Sequence, residues 1–230
     1  MALLALVAVL LILCRHKIAD YMVLAGGKRA IARHIVTPVD MTAGYMTTAD
    51  WFDTLNTFGW HSVPTGFQVY AHVPFNVDGF TCLWGGTSAK GGLPLPEADP
   101  DIAVNQKFQT LYVYHATFFA SPDNTPVYDV VFHYADDSSA TNQVLYGADV
   151  LDWNVKRSRK SKGPSGARSR LGWQGGTFTQ GRNDPLRFTV TAIDNPQPDT
   201  EVTTIDLISC KSDSAPCILA MTAGKSGLMK

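Results

Sequence analysis

The chain has 230 residues, 45% hydrophobic, 17% charged and 10% aromatic, with 19 Gly, 13 Pro and a formal charge of −1. That length supplies the core of one large domain or two small ones. The composition excludes a disordered chain, a collagen, a coiled coil and a small disulfide-stapled module.

The near-zero charge hides a segregation. Residues 156–170 carry seven basic side chains and no acid, and residues 15–33 carry five against the single Asp20. The remainder holds seven basic and 19 acidic residues, a body of −12. Two basic stretches on an acidic body bear on partners rather than on fold.

Residues 1–14 (MALLALVAVLLILC) form an unbroken apolar run followed by Arg15, His16 and Lys17. A membrane span takes about 20 apolar residues. The run therefore reads as a membrane anchor if a helix continues through Ile18, Tyr21, Met22, Val23 and Leu24 with its basic groups snorkelling. A signal peptide competes, but no basic residue precedes the run, and a buried core helix is the third reading. Basic residues directly behind the run favour a cytoplasmic location for the rest of the chain, and basic residues further upstream would reverse that. The expectation is a β-domain on the periplasmic, extracytoplasmic side of a bacterial membrane.

From residue 66 the apolar period is two. Phe67, Val69, Ala71 and Val73 alternate with Gln68, Tyr70 and His72, and Leu186, Phe188, Val190 and Ala192 alternate with Arg187, Thr189 and Thr191. Richer runs at 108–119 and 127–134 load both faces with aromatic and β-branched residues. Shorter strands are predicted at 78–84, 142–146, 201–209 and 217–222, and turn chemistry marks 121–124, 136–139, 181–185 and 194–196. The segment 86–100 reads as a Gly/Pro-rich loop, and helix is expected only within 1–33 and 47–56. Seven to ten short strands predict an all-β, antiparallel jelly-roll sandwich preceded by an N-terminal apolar helix. The expected layout is an anchor and basic juxtamembrane segment over 1–33, an extended lead-in over 34–65, the sandwich over 66–223 and a tail over 224–230.

An ordered series of short elements runs through this body. It comprises Val73-Pro74-Phe75-Asn76-Val77, Leu111-Tyr112-Val113-Tyr114-His115-Ala116, His133-Tyr134-Ala135-Asp136, Asp152-Trp153, Trp173-Gln174-Gly175, Asn195-Pro196 and Ile218-Leu219-Ala220-Met221-Thr222. The series resembles the galactose-binding-like, carbohydrate-binding-module-like β-sandwich domains of bacterial surface proteins and glycoside hydrolases, over about residues 60–223. The resemblance implies a non-catalytic accessory or ligand-binding module. No catalytic domain accompanies the match, and the basic insertion at 156–170 departs from the pattern.

Catalytic motifs fail on inspection. Gly163-Pro164-Ser165-Gly166-Ala167 lacks the last glycine of a nucleophile elbow, and Leu219 stands where a phosphate loop ending in Lys225-Ser226 needs its first glycine. Only Glu97 and Glu201 are available as glutamates, which leaves a glycoside-active enzyme a distant third reading. His115 and His133 with Asp136 or Asp129 would form a metal site if they met across a sheet, although a locally satisfied histidine is the plainer reading. Asp136, Asp137, Asp149 and Asp152 offer oxygen ligands for a structural Ca²⁺, the one cofactor entertained.

Sugar binding would need exposed aromatic platforms, for which Trp153 and Trp173, with His115 and Asp136, are candidates. The basic loop (Lys156, Arg157, Arg159, Lys160, Lys162, Arg168, Arg170), with Trp51 and Trp60, is the candidate docking surface for a membrane or for a protein partner in a membrane complex. Nucleic acid is disfavoured by the acidic body. Cys210 and Cys217 are the candidate disulfide, and Cys82 reads as a buried thiol. The function expected is a membrane-anchored, non-catalytic accessory or scaffold subunit, with a carbohydrate-binding module of the cell envelope as the alternative.

Overall fold

A computed structural model of the protein describes residues 20–31, 33, 35–44, 47–48, 62–93, 95–158, 162–179 and 182–229. Its strands pair antiparallel throughout, in one large sheet, one of four strands and a hairpin. The large sheet is ordered β10(Ser169–Thr179), β11(Arg182–Asp194), β7(Thr110–Phe118), β13(Ala215–Gly224), β5(Gly79–Cys82) and β2(Thr47–Thr48), with β1(Val36–Pro38) also on β13. The second sheet runs β6(Ala98–Gln106), β12(Val202–Ser209), β8(Pro126–Tyr134) and β9(Ser139–Leu145). The hairpin is β3(Gly66–Tyr70) with β4(Val73–Val77).

Both faces of the large sheet are covered, which explains why all nine residues of β7 are buried. Alternate side chains divide between two clusters, as strand geometry demands. Leu111 and Val113 join Val130, Phe132, Ile205 and Leu207 of the four-stranded sheet. Tyr112, Tyr114 and Phe118 point the other way, towards Tyr70, Val73 and Phe75 of the hairpin. The Tyr70 and Tyr114 rings stack there with centroids 4.5 Å apart.

Residues 20–31 form a helix, α1, that lies on the hairpin. Gly27 makes the close approach: a Cβ there would sit 2.6 Å from Val69 and 3.1 Å from Phe67. A glycine costs a helix interior about 1 kcal/mol, and packing against the hairpin offsets that. Lys28 lies 5.7 Å from the Phe67 ring centroid, and Ile35 N–H closes the helix end on the Ala30 carbonyl at 3.0 Å. Among the described residues no helix is long and apolar enough to cross a membrane, and the apolar run 1–14 lies outside them.

Several sequence expectations are corrected. The single strand read through Phe67–Val73 is two, because Ala71 and His72 both take positive φ (47° and 68°) and turn the chain. The loop assigned to 86–100 contains a short helix, α2(Gly86–Lys90), and the start of β6. The turn expected at 181–185 is largely strand, since Asn183, Asp184 and Pro185 pair with β10. The lead-in contributes β1 and β2 to the large sheet, and the helix considered for 47–56 begins as strand β2, its other residues lying outside those described.

The cysteine pairing also differs. Cys217 lies opposite Cys82 in the β13–β5 register, with Cα atoms 4.2 Å apart, and these two form the disulfide. Cys210 follows β12 in the other sheet, its N–H on the Val127 carbonyl at 3.0 Å, and it is a free, half-buried thiol. The strand change between Cys210 and Cys217 is what separates them. Burial and the neighbouring Asp129 push the Cys210 thiol up to about 11.

Candidate functional site

The connection between β9 and β10 carries the basic loop, and arginines clamp its two ends. Asp152 is fully buried, and its carboxylate accepts Arg157 Nε at 2.7 Å, Arg157 Nη2 at 3.1 Å and the Asn154 N–H at 2.9 Å. Burial pushes the Asp152 carboxyl above its ordinary range, and Arg157 opposes that shift. The Arg157 guanidinium also covers Phe119 and Trp153, 4.9 and 5.1 Å from their ring centroids.

At the other end Arg168 grips Asp149 through Nε at 2.9 Å and Nη2 at 2.7 Å, and Leu145 N–H adds a bond at 2.9 Å. Burial works to raise the Asp149 carboxyl, but the Arg168 hydrogen bonds and charge hold it below its ordinary value. Between the clamps Arg187 of β11, 2% exposed, donates to the Asp152 carbonyl at 3.1 Å, the Lys162 carbonyl at 2.9 Å and the Ser158 hydroxyl.

The Asp149 clamp continues into the core as a directed hydrogen-bond chain. His115, at 0% exposure, touches Tyr128 OH through Nδ1 at 2.7 Å and Thr191 Oγ1 through Nε2 at 2.8 Å. Burial pushes the imidazole down to about 3, so the ring is neutral and carries one proton. Thr191 Oγ1 donates to the Asp149 carbonyl at 2.9 Å and therefore accepts from His115. That assigns the proton to Nε2 and makes Tyr128 the donor to Nδ1. Ser169 Oγ sits between Asp149 Oδ1 at 3.2 Å and Thr191 Oγ1 at 2.9 Å.

The sequence-derived candidates thus separate. Asp149 and Asp152, considered for Ca²⁺, are the partners of Arg168 and Arg157. Asp136 and Asp137 occupy the β8–β9 turn, where Asp136 Oδ1 accepts the Ser138 N–H at 3.1 Å and hydroxyl at 2.6 Å, holding its carboxyl below the ordinary value. Among the described residues no group of three or more His, Cys, Asp or Glu gathers around a point that could hold a metal.

His115 and His133 do not meet: they lie in different sheets, and His133 Nε2 bonds Asp206 Oδ2 at 2.8 Å. Trp153, at 5% exposure, is core, packed edge-on to Phe118. Trp173 is half-buried on β10, packed on Phe188 and close over Gly175. Lys156, Lys162 and Arg170 are exposed, whereas Trp51, Trp60, Arg159 and Lys160 lie outside the described residues.

Arg187 is the structural residue that sequence reasoning missed. Period-two alternation put it on the polar side of its strand, and nothing in the pattern distinguishes a buried arginine from a solvated one. No protein family, curated protein or solved structure matches this chain.

Proposed function

We propose that the protein is a non-catalytic accessory subunit held at a membrane, docking through its basic side on a membrane-protein partner or on the membrane surface. In this reading the fold is a galactose-binding-like jelly roll. The strand order supports it: β5-β13-β7-β11 faces β6-β12-β8-β9, and the chain passes back and forth between these two sets of four.

One observation carries the docking reading. Arg157 stacks on Trp153, which belongs to the same hydrophobic cluster as the hairpin on which α1 lies. The start of the loop at Arg157 and the exposed Lys28 and Arg29 of α1 are therefore on the hairpin side of the large sheet, while the end of the loop at Arg168 reaches the Gln143 carbonyl of β9. The four-stranded sheet on the other side carries Asp101, Asp129 and Asp206, none of them buried. Arg157, Lys28 and Arg29 thus gather basic side chains on the hairpin side, and each basic residue near an anionic leaflet contributes about 1 kcal/mol.

Vesicle co-flotation of the full chain, with and without phosphatidylserine, tests this alongside native purification from membranes. Charge reversal at Lys156, Lys162 and Arg170 is expected to weaken vesicle association or partner recovery. Unchanged behaviour in both refutes the docking role.

A carbohydrate-binding module of the cell envelope is the second reading, favoured by the half-buried Trp173 with exposed Gln174 beside it on β10. Specific binding on a glycan array, lost in Trp173→Ala without unfolding, would select it instead.

A further inference from the structure

A cleft away from the basic loop opens between β1, the β6–β7 turn and the end of β13. Its volume is about 220 Å³, and its polar lining includes Lys107, Gln109 and Lys225, with Phe108 and Pro198 as apolar floor. None of the described residues lining it is acidic, on a body that is otherwise strongly so. Lys107 and Lys225 are exposed, and neither forms an ion pair among the described residues.

The backbone that carries these groups is fixed. Buried Tyr112 donates to the Lys225 carbonyl at 2.6 Å, Lys225 N–H bonds the Ile35 carbonyl at 3.2 Å, and Gln109 N–H bonds the Gly224 carbonyl at 3.0 Å. The Gln109 side chain is oriented as well, because its Oε1 accepts the Ser226 N–H at 3.1 Å and the Ser226 hydroxyl at 3.3 Å. With its acceptor engaged, Gln109 offers its amide N–H₂. Two ammonium groups and one oriented amide make a set of donors with positive charge.

We infer that this cleft binds the carboxylate of a small acidic ligand, between Lys107 and Lys225 and against the Gln109 amide. A sugar acid and a free carboxylate share that chemistry. The volume admits a ligand of monosaccharide size rather than a chain.

Calorimetric titration of the full chain with glucuronate, acetate and glucose tests the assignment. Glucuronate is expected to bind saturably and glucose not at all. Lys107→Ala and Lys225→Ala should each weaken binding roughly tenfold, the strength of one charge-assisted hydrogen bond. Lys156→Ala with Lys162→Ala should leave it unchanged. Glucuronate binding above acetate assigns the cleft to an acidic sugar, and equal binding assigns it to free carboxylates. Both lysines are exposed, so the variants are expected to unfold at the wild-type temperature, which circular dichroism checks. Absence of glucuronate binding, glucose binding as well as glucuronate, or undiminished binding in the double lysine variant overturns the inference.

Discussion

Acid should weaken this fold through one imidazole. His115 has a folded-state pKa of about 3 against 6.5 when unfolded, because burial disfavours the charged ring. A depressed folded pKa gives stability that is fully present above the unfolded value and is lost as pH falls below it. The loss grows by about 1.4 kcal/mol per pH unit and levels off near the folded value. Between about pH 7.5 and pH 4.5 only the two units below 6.5 count, so His115 alone should remove about 2.7 kcal/mol.

Aspartates titrate over part of that range, so the measurement is a difference. Urea unfolding of wild type and His115→Leu at both pH values isolates the imidazole. The variant is expected to be the less stable at neutral pH, since Tyr128 OH and Thr191 Oγ1 lose their shared partner. The gap should narrow by about 2.7 kcal/mol at the lower pH. A constant gap refutes the reasoning. If the variant does not fold, ring-nitrogen resonances of the wild type decide: a neutral Nε2–H tautomer that persists to about pH 4.5 is expected, and titration near 6.5 would sink the claim.

The disulfide closes a loop with a sequence separation of 135, so reduction should cost about 5 kcal/mol on a chain-entropy basis, seen as a lower urea midpoint. Peptide mapping should recover Cys82 joined to Cys217, and recovery of Cys210 joined to Cys217 would contradict the strand register. Arg168→Met leaves Asp149 buried without its guanidinium and should destabilise by about 3 kcal/mol, with part restored by pairing it with Asp149→Asn. A melting temperature unchanged by Arg168→Met would show that the clamp is not structural. Gly27→Leu places side-chain atoms where Val69 already lies 2.6 Å away, so α1 should leave the hairpin and trypsin should cut at Lys28 and Arg29. Protection equal to wild type would mean that the helix does not depend on that approach.

The strands with strong patterns were legible. Leu111–Phe118 and Val127–Tyr134 declare themselves because burial on both faces, or nearly so, selects aromatic and β-branched residues. Strand β6 was not, since Ala98, Asp99 and Pro100 read as the end of a loop, and an edge strand tolerates the proline. The Ala71–His72 turn lacks the glycine or asparagine that usually announces positive φ, so alternation ran straight across it. At the site, the basic run and the aspartates were each visible, but their pairing was not. Arg157–Asp152 and Arg168–Asp149 are brought together by the path of the loop, and no one-dimensional pattern encodes that path.

The position of β7 also sets the order in which the molecule can assemble. Its neighbours are β11 and β13, so His115 waits for Thr189 on one side and Ile218 on the other. During synthesis this fully buried strand emerges long before either partner, and loop closure over such separations slows folding. Until β11 is made both edges of β7 are open, and the edge that β13 takes stays open until that last strand arrives. The nascent chain is therefore most prone to aggregate in the interval between making residue 118 and making residue 224, and β13 is the element that ends that exposure.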